Sequence, residues 1–186
     1  LTSAILPLSY HINNDMSTLT KNINYFIPTG FNFIIDRIPN VNFFCQSVNL
    51  PGVNLGTVTI NTPFKDYPLA GDKVEFNEFR ISFVVDEELK NWIEIYNWII
   101  GLGFPSDFGQ YSDLKKSHPN GIYSDANLFI LSSHKNVQHK VVFQNIFPVS
   151  LSDIDMNSIS SDTTTTIADV SFAYTIYNIE RLISDI

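Results

Sequence analysis

From Phe79 to Val85, apolar and polar positions alternate: Phe79, Ile81, Phe83 and Val85 on one face, Arg80, Ser82 and Val84 on the other. A period of two predicts a strand. Asp86, Glu87 and Glu88 end the run, and the period then changes to 3.6. Asp86 suits an N-cap, and the two glutamates suit the positive end of a helix dipole. At ~100° per residue, Leu89, Trp92, Ile93, Tyr96, Ile99 and Ile100 fall within a stripe of roughly 120°, which predicts an amphipathic helix with that stripe against the core. Gly101 supplies the residue after the last turn, and Pro105 prevents continuation. Trp98 falls opposite the stripe, beside Ile95 and on the side of Asn91 and Glu94. Two readings follow. Either Gly103–Ser124 folds back over Trp98, or Ile95 and Trp98 form an inter-subunit helix face, Trp being a common interface anchor.

Around this unit the pattern is mostly that of strands. Phe31–Ile38 alternates, Pro39-Asn40 reads as a turn, and Val41–Asn49 reads as a second strand, so the pair predicts a hairpin. Thr57–Asn61 is a short strand. Pro63–Lys73 carries two prolines, a glycine and four charges around Phe64, Tyr67 and Leu69, and reads as a projecting hairpin or loop. Gly103–Ser124 has no period and reads as a long loop, which in a compact domain usually has a function. Asp125–Ser133 and Val137–Ile146 are strands joined at His134-Lys135-Asn136. Thr164–Ile179 is the longest, with Val170, Phe172, Tyr174 and Ile176 facing in. Seven or eight strands and one helix predict a mainly β, antiparallel barrel or sandwich with one flanking amphipathic helix.

Length sets the domain count. The 186 residues make one domain over 31–186, after a leader or N-terminal extension at 1–30. Met16 heads MSTLTKN, so residues 1–15 read as an addition outside the core. Eleven basic against nineteen acidic residues give a net charge of −8. That balance argues against gripping nucleic acid by phosphate neutralisation, yet suits a surface that nucleic acid must slide past. Cys45 is the only cysteine, which excludes a disulfide framework and makes a reducing cytosol the default. No apolar run has the length of a membrane span.

Candidate chemistry changes little. His134 and His139 bracket a turn, without the further ligands a metal set needs. The acids at 86–88 are explained by capping rather than acid–base work. The serines at 158–161 lack the glycines of a nucleophile elbow. No Gly-rich phosphate loop or cationic stripe occurs. A structural or binding protein is favoured over an enzyme, with no cofactor.

The succession RIPNVNFFCQSVNLPGV, PLAGD, FRISFVVDEELKNWIEIYNWIIGLGFP, SDANLFILSSHKN, VVFQNIFPVSLSDID and SFAYTIYNI resembles the tail tube proteins of contractile-tailed bacteriophages. The likeness runs from Phe31 to Ile179. It implies a β-barrel or sandwich subunit that closes into homohexameric rings, stacked into a tube. The implied partners are the tail sheath, baseplate and tape-measure proteins, with transient, non-specific passage of viral DNA and no membrane insertion. The implied place is the virion tail, after assembly in the host cytoplasm. In such a tube, Phe64, Lys65, Asp66, Tyr67 and Leu69 are the expected ring-stacking loop. A baseplate tube initiator and the tube of a related injection system are close alternatives. A monomeric carbohydrate-binding β-sandwich is the alternative of a different class.

Overall fold

The computed structural model describes residues 26, 28–103, 106–156 and 165–182. Residues 1–25 of the leader, the helix stop at Pro105 and the serines at 158–161 lie outside them.

The core is built from alternating faces. β5 (Phe79–Val84) buries Phe79, Ile81 and Phe83, as its pattern dictates. It pairs antiparallel with β8 (Ile167–Ala173), which buries Ala168, Val170 and Phe172, and on its other side with β2 (Cys45–Val48). β7 (Val137–Leu151) pairs along its first half with β6 (Ser124–Leu131) and β9 (Ile176–Arg181), and along its second half with β8. β6 in turn pairs with β1 (Phe31–Ile35). β8 and β9 are nearly one strand, since Phe147 faces Ala173 and Gln144 faces Ile176. Both strands bend together: Asn145 takes φ 54°, its side-chain amide donates to Thr175 Oγ1, and the Thr175 N–H donates to the Gln144 carbonyl. A local kink of this kind re-aims a strand. The seven-stranded sheet thereby folds onto itself, and aromatic rings from its two halves meet. Phe79 lies 5.4 Å from Phe33 and 4.4 Å from Phe143, centroid to centroid.

The mainly antiparallel β class stands, with four corrections. The sheet order β1-β6-β7-β8-β5-β2 leaves β1 and β2 as open ends, so no barrel closes. The expected hairpin of 31–38 and 41–49 is absent, because Pro39 opens a short helix, α1 (Pro39–Phe44), which carries the chain from one edge of the sheet to the other. The segment 103–124 contains a second longer helix, α3 (Phe108–Lys116), which fully buries none of its residues and packs Leu114, half-buried, against the core. Ile176 is 39% exposed, because the bend at Tyr174-Thr175 turns Tyr177 rather than Ile176 toward the core.

Candidate subunit interface

The residues expected at subunit contacts lie on two elements: the helix after β5, and a hairpin that leaves the sheet.

The helix, α2 (Lys90–Gly103), starts three residues later than an N-cap at Asp86 predicts. Residues 86–89 instead make a turn closed by Leu89 N–H to the Asp86 carbonyl, with Leu89 at φ 58°. Asn91 holds this turn. Its amide donates to the Val84 carbonyl at 2.8 Å, and its oxygen accepts from the N–H groups of Asp86 and Trp92. The buried face of α2 is Asn91, Ile95, Trp98 and Gly101. This nearly reverses the predicted orientation, although Trp92 and Ile99, at the edge of the predicted stripe, pack half-buried against the core. Ile93 and Tyr96, at the centre of the apolar stripe, are 42% and 44% exposed.

Ile95 and Trp98 are therefore not an inter-subunit face. They are core residues of their own chain, 0% and 2% exposed. The Trp98 indole N–H donates to the Ile122 carbonyl at 2.9 Å, so the segment 103–124 does cover it. The Arg37 guanidinium lies over the indole, and also donates to the carbonyls of Gly121 and Leu114 and to Ser117 Oγ. It thus binds the C-terminal end of α3, where exposed carbonyls favour a cation. Partial burial lowers the pKa of Arg37 from its ordinary value. Burial also pushes the Cys45 thiol up to about 11.

The hairpin consists of β3 (Val53–Ile60) and β4 (Tyr67–Phe76), a two-stranded sheet apart from the main one. Its base is tied down. The Tyr174 hydroxyl donates to the Asn77 carbonyl, the Tyr177 hydroxyl donates to the Pro51 carbonyl, and Phe76 packs against both tyrosine rings. Desolvation, with the neighbouring Tyr177 second, pushes Tyr174 up to about 12. Beyond the base every residue of β3 is exposed. Val58 pairs with Leu69 and Ile60 with Tyr67, all about half exposed, and Phe64 at the turn is 99% exposed. These side chains place an apolar surface in solvent at the outer end of the ribbon. Lys65 and Asp66 flank it.

The five residues expected to form a contact loop, Phe64, Lys65, Asp66, Tyr67 and Leu69, thus share the outer end of one ribbon. The sequence reading missed Val58 and Ile60, which complete its apolar surface. Their alternation with Thr57 and Thr59 was the available signal. Among the described residues, no group of three His, Cys, Asp or Glu side chains could hold a metal ion, and no helix is long and apolar enough to cross a membrane.

The chain is thus an antiparallel sheet folded onto itself, with a helix on its core and a separate two-stranded ribbon. It matches the tube terminating cap of the anti-feeding prophage at a TM-score of 0.56, with 12% identity, over 88% of this chain and 99% of that one. The sheath–tube complex of an extracellular contractile injection system matches at 0.54, with 12% identity, over 86% and 94%. Residues 6–180 match the family described as phage tail tube protein, and the chain belongs to that family. It is also 26% identical, over 160 residues, to the tail tube terminator protein of Enterobacteria phage T4, covering 81% of this chain and 87% of that protein.

Proposed function

We propose that this chain is a structural, non-enzymatic tail protein that forms a ring of six at the end of a contractile tail tube. The observation that carries the terminal position is the likeness to the phage T4 tube terminator, which spans most of both chains. The leading sequence-based reading, the main tube subunit, and its alternative, the baseplate initiator, each put the protein elsewhere. Ring formation is supported by surfaces that a lone subunit leaves unsatisfied. β1 and β2 are open sheet edges that a neighbour can pair, and the hairpin is an arm with an apolar end. Its tip residues Phe64, Lys65, Asp66, Tyr67 and Leu69 make contacts between subunits. The ring meets the tube on one side and the sheath on its outside. The acidic balance leaves its channel free of a cationic lining, so DNA passes without sticking. Copy number in purified virions tests the position. About six copies per particle fit one closed ring, whereas many tens would make the protein the main tube subunit.

A further inference from the structure

The hairpin tip has a matching surface on the same chain. The tip is held by Thr62, whose hydroxyl donates to the Lys65 carbonyl and accepts the Lys65 N–H, and Phe64 projects from this braced turn into solvent. Between α2 and α3 lies a groove of about 350 Å³. Its floor is Ile100, Gly101 and Leu114, and its rim includes Gln110 and Asp113. Gly101 lets the two helices approach so closely that a Cβ there would stand 3.0 Å from Leu114. Lys65 and Asp113 are both exposed, and neither has a charged partner among the described residues. An aromatic knob beside a lysine thus complements an apolar groove beside an aspartate. Two unlike patches on one chain make a head-to-tail contact, which closes a ring when the rotation permits.

We propose that Phe64 seats in the α2–α3 groove of the next copy around the ring, with Lys65 against Asp113. This rests on the ring reading above. It assigns the tip to a neighbour within the ring rather than to a stacked ring, because the axial neighbour of a terminal ring is a different protein. The eight residues of β3 span about 26 Å, enough to cross to an adjacent small domain.

The test places Lys65→Cys and Asp113→Cys together in a Cys45→Ser chain and oxidises the assembled protein. The expected result is a ladder of covalent multimers up to the full ring on a non-reducing gel, with dimers at most from either single-cysteine chain. Rings of the Cys45→Ser parent with no ladder from the paired cysteines overturn the groove assignment and leave the ring reading standing. A parent that forms no rings overturns both. In the otherwise native chain, Phe64→Ser should weaken ring association about ten-fold or more, the loss of a typical anchor side chain. Association equal to the parent's overturns the proposal.

Discussion

The Arg37 guanidinium sits 5.1 Å from the centroid of the Trp98 indole, and the same guanidinium holds the last turn of α3. One side chain therefore closes the helical layer over the core with no carboxylate partner among the described residues. Arg37→Ala removes the cation–π contact and three donated hydrogen bonds, leaving the Leu114 carbonyl with Ser117 Oγ as a donor. Its cost should be about 2–4 kcal/mol in urea unfolding. Lys should recover little, because a single ammonium cannot reproduce the planar fork.

Trp98→Ala should act on folding rather than on assembly. Truncating a buried aromatic costs about 3–5 kcal/mol, and the loss should appear in the monomer. Ile93→Ser, on the exposed face of the same helix, should change stability by about 0.5 kcal/mol or less. Urea unfolding of the two variants, measured side by side, reports which face of α2 is the core face.

This reversal marks how far the sequence could be read. The position of α2 was plain from its period, but its orientation was not. Apolar counting favours the side of Ile93, Tyr96 and Ile100. The buried side uses Asn91 for its hydrogen bonds and Gly101 for close approach to α3, and neither residue registers as apolar. β5 and the β6–β7 hairpin were legible because each has one buried face. β4 was not, because a ribbon in solvent has no buried face to impose alternation. Of the proposed contact residues, the exposed aromatics at 64 and 67 stood out in a Pro- and charge-rich stretch. The α2–α3 groove needed the fold.

Gly71→Ala should separate the hairpin from the core. A Cβ at Gly71 would stand 2.5 Å from the Gly56 carbonyl oxygen, at the irregularity where the register of the two strands shifts. The ribbon must distort to accept it. The thermal midpoint of the subunit should stay close to the parent's, while ring formation in sizing chromatography falls.

Alkaline pH should loosen the hairpin base. Tyr174 titrates near 12 in the folded chain against an ordinary 10, so its neutral form is the one the fold favours. Its contribution is complete below pH 10 and is lost as the pH rises toward 12. Melting temperature should fall over that window. Tyr174→Phe, which lacks the bond to the Asn77 carbonyl, should flatten the fall and cost about 1 kcal/mol at neutral pH.

Negative-stain microscopy of the purified full-length protein tests the central claim most directly. A ring-forming tube terminator should give discrete six-fold rings, one subunit thick, that do not lengthen as concentration rises. Long tubes would contradict the terminal position, and monomers at every concentration would contradict the ring itself.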